Sequence, residues 1–489
     1  MKIGFNSELY MQKQSEKILE RIAKFDNKLY LEFGGKLFDD FHAARVLPGF
    51  DPNAKIKLLQ KLKDKCEIIF CISAQDIERN KMRADLGITY GAEVIRLMGI
   101  MRGLGISVNS VVITKYEDQP IANNFKQKLE QRGEKVYLHR FTKGYPNDVD
   151  TIVSDEGYGQ NPYIETTKPL VVVTAPGPSS GKLGTCLGQL YHEFKRGIRA
   201  GYAKFETFPV WNLPLKHPVN IAYEAATADI KDVNMIDGYH LEAYNETTVN
   251  YNRDIELFPV IRTILSRISP DLNYKSPTDM GVNMVGYCIT DDDAVREAAK
   301  QEIIRRYFNT KCAYKNGQMD LGAVKRAEYL LGDLELKPEY RQVVEPARKK
   351  AADSMTIAVA MQLKDGYIET GKRSELLSAS AAVVLNALKY LAKLEDNVQL
   401  IDPTVIEPIV AVKKNVLKDK HTRLDLQEVI IALTVCATFH KNAKLALDQL
   451  GNLNCTELHS TVMLHSNDLN MLRKLGVNTT QDDVFDDKI

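Results

Sequence analysis

The sequence has little of what marks a secreted, membrane-spanning or nucleic-acid-binding protein. Its seven cysteines are widely spread and include no C-x-x-C pair, which is typical of reduced thiols in a cytosolic protein. The first ten residues, MKIGFNSELY, contain no apolar signal-peptide core, and the longest largely apolar run, 429–437, is too short to cross a bilayer. We therefore expect a cytoplasmic protein with no membrane partner.

Neither sign of charge dominates the sequence. Lys and Arg total 65 against 64 Asp and Glu, so the formal net charge is +1, and no long block carries one sign. This balance gives no sign of the basic surface that nucleic-acid-binding proteins carry. Any charged partner must therefore be recognised by a local group of residues. Low-complexity segments and repeats of fixed period are also missing. At 489 residues the chain is longer than one hydrophobic core supports, which indicates two or three domains.

A glycine-rich turn is the most distinctive feature that the sequence does have. The apolar run 170–173 leads into TAPGPSSGK at 174–182, and an amphipathic helical pattern follows. A strand–loop–helix turn of this kind directs unpaired backbone N–H groups to one side, where the positive end of the helix dipole suits a phosphate. The P-loop pattern G-x-x-x-x-G-K-[ST] is matched only in part, because Pro176 replaces the first glycine and Leu183 replaces the hydroxyl residue.

We call residues 175–181 the glycine loop. The residues predicted to hold an anion there are Gly177, Ser179, Ser180, Gly181 and Lys182, with Thr185 as the nearest hydroxyl beyond the lysine. The alternative is a plain βα turn that needs glycine and proline for its geometry and carries a solvated lysine. The sequence leaves both interpretations open.

Two later segments supply candidate catalytic groups. The short apolar run 233–237 ends in Asp237, the best-placed carboxylate for Mg²⁺, and the simpler alternative is a plain helix cap or turn residue. The loop 209–218 contains three prolines, Trp211, Lys216 and His217, and is a candidate substrate contact. No histidines or cysteines have the spacing of metal ligands, so we predict no metal site of that kind.

The order of apolar runs indicates the fold class. Strand patterns at 29–33, 66–72, 108–114, 135–139 and 170–173 alternate with helical patterns. Such alternation predicts an α/β domain with a mainly parallel sheet and helices on its faces. Ligands of open α/β sheets bind beyond the carboxyl ends of the strands, which is where the glycine loop would lie.

Several segments together carry a family resemblance. EFGGKLFDD, VVVTAPGPSSGKLGTCLGQLYHE, FETFPVWNLPLKHPVN and YKSPTDMGVNM closely resemble an uncharacterised bacterial family, catalogued as domain of unknown function eighteen-forty-six. The resemblance covers essentially the whole chain and includes the family's loop pattern T-A-P-G-P-x-S-G-K. It implies an α/β N-terminal domain (1–290), a helical segment (291–335) and a smaller α/β C-terminal domain (336–489). It implies no activity or catalytic residue that could be transferred.

The C-terminal half carries local expectations of its own. We predict a long helix over 339–362, broken or bent near Pro346, a helix start after the pair Gly371-Lys372, and a capping box formed by Asp425 and Glu428. The small residues of 378–382 favour close helix packing. The helix at 429–439 is apolar almost all round and should be buried, and the acidic tail after Thr480 should fray.

These patterns favour an enzyme that binds a nucleotide or another phosphorylated small molecule at the glycine loop, with phosphoryl-transfer or ligase-type chemistry. Lys182 would neutralise phosphate charge, Asp237 and Thr185 would contact magnesium, and His217 or Lys216 would contact the substrate. The cofactor is unknown, with ATP and magnesium as one candidate, and phosphate or another anion is the broader prediction. The alternatives are a non-catalytic phosphometabolite-binding or regulatory protein and a structural dimer. A homo-oligomer is compatible with each.

Overall fold

The chain divides into two compact units in the computed structural model, which describes residues 2–83, 86–419 and 421–486. The N-terminal unit comprises Lys2–Glu224 and Lys231–Ala299, and the C-terminal unit comprises Ala225–Ile230 and Lys300–Ile489. The predicted helical segment 291–335 is therefore shared between the two units. Within the described ranges, no helix has an apolar stretch long enough to cross a bilayer.

A parallel sheet lies at the centre of the N-terminal unit, which confirms the predicted α/β class. Its seven strands in the described chain are β1 Leu29–Phe33, β2 Cys66–Ser73, β3 Ser107–Thr114, β4 Val136–His139, β5 Leu170–Thr174, β6 Gly201–Phe205 and β7 Gly281–Val282. Their spatial order is β7-β6-β1-β5-β2-β3-β4, and every neighbouring pair is parallel. All residues of β2 and β5 are buried, as expected for strands covered by helices on both faces.

This strand order creates a switch point beside the glycine loop. From β2 the chain continues to β3 and β4 on one side, whereas from β5 it continues past β1 to β6 and β7 on the other. The connections after β2 and β5 consequently leave the sheet in opposite directions, and the space between them is the usual ligand position in open α/β sheets. The glycine loop follows β5 directly at this edge.

Helices cover the sheet. Those up to residue 280 are α1 Ser7–Ala23, α2 Phe41–Val46, α3 Ala54–Lys61, α4 Ala74–Glu78, α5 Tyr90–Gly103, α6 Pro120–Glu130, α7 Val149–Ile152, α8 Lys182–Lys195, α9 Pro218–Ala226, α10 Gly238–Tyr244, α11 Asn252–Ile268 and α12 Pro277–Met280. Apolar residues of α8 and α11, including Leu190 and Ile264, share a core with Tyr30 and Val171 of the sheet. Two small antiparallel ribbons pair Met82–Arg83 with Ile88–Thr89 and Asn234–Ile236 with Val249–Tyr251. The apolar run before Asp237 thus pairs in a ribbon outside the main sheet.

The C-terminal unit contains a second, smaller sheet. Its strands are β8 Ala358–Gln362, β9 Ile368–Lys372, β10 Glu457–Ser460 and β11 Asn478–Gln481, in the order β9-β8-β10-β11. Only the β10–β11 pair is parallel among these described strands. The remaining helices are α13 Asp292–Lys315, α14 Leu321–Asp333, α15 Val344–Ser354, α16 Ala379–Leu391, α17 Pro403–Asn415, α18 Leu426–Cys436, α19 Lys441–Leu447 and α20 Ser466–Lys474.

Three local predictions in this unit are wrong. The expected helix over 339–362 ends at Ser354, where Met355 adopts a left-handed φ of 47°, and the chain then forms β8. The Gly371-Lys372 pair ends β9 and does not begin a helix, since α16 starts at Ala379 behind the cap Ser378. The acidic tail is held through Asp486, which pairs with Arg373, so it is not frayed up to that residue.

Two other local predictions are confirmed. Helix α16 packs so closely on β9 that a Cβ atom at Gly371 would overlap the backbone nitrogen of Val383. The capping box of Asp425 and Glu428 is present, with each side chain accepting a hydrogen bond from the other residue's amide. The helix that this box starts, α18, is buried on one side only, which corrects the expectation of a fully enclosed helix.

Candidate functional site

The glycine loop joins β5 to α8 and leaves several backbone donors unpaired. Gly181 caps α8 with a left-handed φ of 83°, and Ser179 is also left-handed with φ 56°. In the described chain, the amides of Gly177, Ser179, Ser180 and Gly181 donate no backbone hydrogen bond of ordinary geometry. Unpaired N–H groups at the start of this 14-residue helix carry partial positive charge and complement an anion.

Packing accounts for the two structurally demanding glycines of the loop. A Cβ at Gly177 would lie 2.5 Å from the hydroxyl of Tyr90, and a Cβ at Gly181 would lie 2.8 Å from the Cβ of Thr114. The Thr114 hydroxyl donates to the carbonyl of Ser180 at 2.7 Å. The Ser180 hydroxyl itself is only 3% exposed by residue and has no hydrogen-bond partner among the described residues. Turn geometry therefore explains the glycines but does not account for this buried hydroxyl.

Lys182, the first residue of α8, approaches Glu32 near the end of β1. The Nζ–Oε1 distance is 3.9 Å, and the two side chains are only 14% and 12% exposed. This separation is an ion pair but too long for a direct hydrogen bond. The other oxygen of Glu32 accepts from the hydroxyl of Tyr202 at 2.9 Å. Lys182 thus keeps hydrogen-bonding capacity inside a nearly buried site.

A buried ionisable cluster adjoins Glu32 on the neighbouring strand. Lys204 lies opposite Glu32 in the β1–β6 register, and its Nζ is 2.9 Å from Oε1 of Glu206. The same ammonium group contacts the carboxylate of Asp254 and the hydroxyl of Tyr251. The Tyr251 hydroxyl donates to Glu206 at 2.9 Å. The cluster is Lys204, Glu206, Tyr251 and Asp254, and we call it the Lys204 cluster.

The electrostatics of the Lys204 cluster are set by burial and by its own charges. Burial opposes the charged form of Lys204, yet the carboxylates of Asp254 and Glu206 raise the pKa of this lysine well above its usual range. Burial also raises the pKa of Glu206, against the opposing charge of Lys204. Ammonium, carboxyl and phenol groups are collected next to Glu32, the ion-pair partner of Lys182, and these are the group types that general acid–base catalysis uses.

Sequence reasoning did not identify Glu32 or three members of the Lys204 cluster, namely Lys204, Glu206 and Tyr251. Glu32 stands inside the strand segment LYLEF, and Lys204 stands inside GYAKF, both otherwise apolar or aromatic. A charged residue inside a buried strand needs a partner of opposite charge or a hydrogen bond. The charged residue in each of these two apolar segments was therefore the sequence signal that could have indicated the site. The partners themselves could not be read from the sequence, because Tyr251 and Asp254 reach Lys204 from 47 and 50 residues further along the chain.

Asp237 occupies a structural position. It is buried and caps α10, with one oxygen accepting from the amide of His240 at 3.1 Å. The other oxygen accepts from the amide and the hydroxyl of Thr278, at 3.1 and 2.6 Å. Within the described residues, Asp237 forms no hydrogen bond or ion pair with the glycine loop. This geometry favours the helix-cap interpretation over magnesium binding.

His217 and Thr185 are likewise engaged locally. His217 is buried, with Nδ1 accepting from the amide of Val219 at 3.2 Å and Nε2 lying 3.0 Å from Asp292. Burial lowers the pKa of His217. The Thr185 hydroxyl is buried against the sheet, 3.4 Å from the thiol of Cys71. The described part of the chain also brings together no group of three or more His, Cys, Asp or Glu residues suited to a metal ion.

The structure therefore keeps one part of the predicted site together and separates the rest. The loop residues Gly177, Ser179, Ser180 and Gly181 are contiguous with Lys182, as predicted. Glu32, rather than Asp237, is the carboxylate next to this lysine. It lies near the end of the strand directly beside β5, where its backbone is opposite Val173.

Comparisons with known proteins cover nearly the whole chain. The family model described as "Domain of unknown function DUF1846, N-terminal" matches residues 3–335, and the corresponding C-terminal model matches residues 339–489. A UPF0371 protein of Clostridium botulinum (strain ATCC 19397 / Type A) is 58% identical over 492 residues, which cover 99% of this chain and 98% of the relative.

Relatives from other species match this chain with similar identity and coverage. A UPF0371 protein of Clostridium tetani is 57% identical over 491 residues, again covering 99% of this chain and 98% of the relative. One from Fusobacterium nucleatum is 57% identical over 498 residues with the same coverage. This chain accordingly belongs to the DUF1846 family, as its glycine loop and the segments around it predict.

Proposed function

We propose that this protein binds a phosphorylated small molecule at the glycine loop, with Lys182 as the cation that receives the phosphate. The observation that carries the proposal is the meeting of unpaired loop amides and a nearly buried lysine at one helix start. This helix start lies at the switch point between β2 and β5, where open α/β sheets bind ligands. Nucleotides belong to the proposed class, but Pro176 and Leu183 depart from the P-loop, so the proposal is made for the phosphate group.

The two lysines of the site differ in a way that favours Lys182 as the anion contact. Lys204 contacts two carboxylates and a phenol, which occupy its three N–H donors. Lys182 has one carboxylate at 3.9 Å. A phosphate oxygen placed between Lys182 and the loop amides would form charge-assisted hydrogen bonds of about 2.7–2.9 Å, which are stronger than the existing long pair.

An enzyme is the better supported of two roles for such a site. Glu32 is a carboxylate near the end of the strand beside the loop strand, a position suited to hold Mg²⁺ together with a bound phosphate. The adjoining Lys204 cluster supplies an ammonium group and a phenol for charge stabilisation and proton transfer. A non-catalytic sensor of a phosphorylated metabolite is the second candidate, because Lys204 and Tyr251 already have protein partners.

Calorimetric titration tests the binding proposal. The ligands are pyrophosphate, ATP and GTP, each with and without Mg²⁺, and the proteins are the wild type and Lys182→Ala. Loss of a charged hydrogen bond of about 1.5–3 kcal/mol should weaken binding roughly tenfold to a hundredfold. The matched control is Lys195→Ala at the other end of α8, whose side chain is 54% exposed and should leave affinity unchanged. Equal affinity in wild type and Lys182→Ala removes this lysine from the site, and no binding to the wild type refutes the proposal.

A second measurement separates the enzyme from the sensor. The ligand that binds is followed by ³¹P NMR in the presence of a small-molecule extract that supplies acceptors. Consumption by the wild type and not by Glu32→Gln supports catalysis. Binding without consumption by either protein supports the sensor.

A further inference from the structure

A cleft of about 480 Å³ lies at the edge of the main sheet opposite the glycine loop. One wall is formed where the strands begin, by Lys28 just before β1 and by Lys168 and Pro169 just before β5. The other wall includes Glu193 near the end of α8 and Ile198 beyond it. We call this space the strand-start cleft. Its volume is within the range of about 300–1,000 Å³ that small-molecule sites occupy.

Glu193 is a buried carboxylate that lines the strand-start cleft. Its Oε1 accepts hydrogen bonds from the hydroxyls of Tyr30 and Tyr163, at 2.6 and 3.1 Å. Its Oε2 is buried and has no hydrogen-bond partner among the described residues. Buried carboxylate oxygens are normally paired, because a lone one is costly in a protein interior. Glu193 can therefore accept a further hydrogen bond from a donor that enters the cleft.

The residues around Glu193 hold its carboxylate in one orientation. Gln189, one turn earlier on α8, donates from Nε2 to the hydroxyl of Tyr30 at 3.2 Å. The same amide is fixed by the backbone of Ile164, which donates to its Oε1 at 2.9 Å and accepts from its Nε2 at 2.8 Å. The hydroxyl of Tyr30 is thereby directed at Oε1 of Glu193. Both phenol donors are used on this one oxygen, and Oε2 keeps its capacity to accept.

Three lysines line the same cleft, namely Lys28 just before β1, Lys65 just before β2 and Lys168 just before β5. Lys28 donates to the carbonyl of Lys168 at 3.0 Å, and Lys168 donates to the carbonyl of Asp64 at 2.8 Å. Since an ammonium group has three donors, each of these two lysines can also bind a further acceptor. Burial lowers the pKa of Lys28, and the charge of Glu193 opposes this shift. Positive groups thus lie on the strand side of the cleft and a carboxylate on the helix side.

We propose that the strand-start cleft binds a free amino acid. The ammonium group of the ligand donates to Oε2 of Glu193, and its carboxylate accepts from Lys28 and Lys168. The partial negative charge at the end of α8 adds to the attraction for the ammonium group. Hydrogen bonds between two charged groups are among the strongest that a small ligand can form.

The cleft requires both charges on one small molecule. A purely anionic ligand such as phosphate would suit the lysines but would bring a like charge to Glu193. A polyamine would suit Glu193 but would be repelled by the three lysines. A zwitterion is complementary to both walls. The cleft lies at the opposite edge of the sheet from the glycine loop, so this inference does not depend on the phosphate site.

Thermal-shift measurements on the full chain with each common amino acid, at up to about 10 mM, identify the ligand, because binding to the folded state raises the melting temperature. Calorimetric titration then compares the best ligand with two analogues. One is the 2-hydroxy acid that has a hydroxyl in place of the ammonium group, and the other is the amine that lacks the carboxylate. Each should bind roughly tenfold or more weakly, since each loses a charge-assisted hydrogen bond. The inference is overturned if no amino acid binds or if the hydroxy acid binds as tightly.

Substitutions assign the two ends of the ligand. Glu193→Gln keeps the shape of the side chain but loses its charge, and should weaken binding roughly tenfold or more. Lys28→Met should weaken binding in the same way through the carboxylate of the ligand. The matched control is Lys195→Ala, two residues along α8 from Glu193, whose side chain is 54% exposed and should leave affinity unchanged.

Circular dichroism melting checks that each variant folds. If Glu193→Gln does not fold, Lys28→Met and the two analogues on the wild type decide the question. A folded Glu193→Gln or Lys28→Met variant that binds the amino acid as tightly as the wild type does would overturn the proposed contacts.

Discussion

Replacing Gly181 with alanine should destabilise the N-terminal unit through the turn that begins α8. Gly181 has a φ of 83°, a region that costs other residues roughly 1–2 kcal/mol. The added methyl would also lie 2.8 Å from the Cβ and the hydroxyl oxygen of Thr114, and such overpacking typically costs about 1–3 kcal/mol. Together the two effects should lower the free energy of unfolding by about 3 kcal/mol.

The assay uses the fluorescence of Trp211, the one tryptophan in the sequence. Trp211 lies in the N-terminal unit against Gly281 of β7, so its signal reports the unfolding of this unit separately from the other. For a unit of about 290 residues, about 3 kcal/mol corresponds to a fall in melting temperature of roughly 5 °C.

The matched control is Gly184→Ala, one turn further along α8. A Cβ at Gly184 would meet nothing within 4 Å, and its φ is not in the left-handed region. This alanine should raise stability by about 0.5–1 kcal/mol, because glycine is a poor helix former. A melting temperature of Gly181→Ala within about 1 °C of the wild type would refute the reasoning, since either effect alone should exceed that shift.

Three further substitutions have defined outcomes. Burial lowers the pKa of His139 from 6.5 to about 4, so stability should fall by up to about 3 kcal/mol as the pH drops from 6.5 towards 4. His139→Gln should flatten this pH–stability curve, and an equally steep curve would contradict the assignment. Asp425→Ala removes the helix cap and should cost about 1 kcal/mol, seen as faster hydrogen exchange at the amide of Glu428. Arg341→Met leaves Glu457 without its partner at 2.6 Å and should destabilise the C-terminal sheet by about 3–5 kcal/mol in hydrogen exchange. Unchanged exchange in either variant would contradict the corresponding contact.

Strands that are covered on both faces were readable from local sequence. The segments predicted at 29–33, 66–72 and 170–173 match β1, β2 and β5 to within one residue. Such strands are buried throughout and appear as continuous apolar runs, so their signal does not depend on the partner strand. The glycine loop was readable for the same reason, because its residues are consecutive.

Segments whose state depends on distant partners were misread. Ala358–Gln362 has the composition of a helix continuation, but it pairs with Ile368–Lys372 on one side and with Glu457–Ser460 on the other. The second partner lies about a hundred residues away, as in the pairing of Val359 with Ser460. Tertiary pairing outweighs local helix propensity in such short segments, and no local pattern contains the partner.

By itself the sequence determined the α/β class, the family, and the anion-compatible loop that ends in Lys182, because each depends on contiguous residues. Only the tertiary structure decided that Glu32 rather than Asp237 stands beside this lysine, since the strand order places β1 next to β5. It also decided that one side of α18 faces solvent, where composition alone predicted burial. Both outcomes follow from packing between elements that are distant in sequence, and a periodic pattern can show that a helix is apolar without showing what covers it.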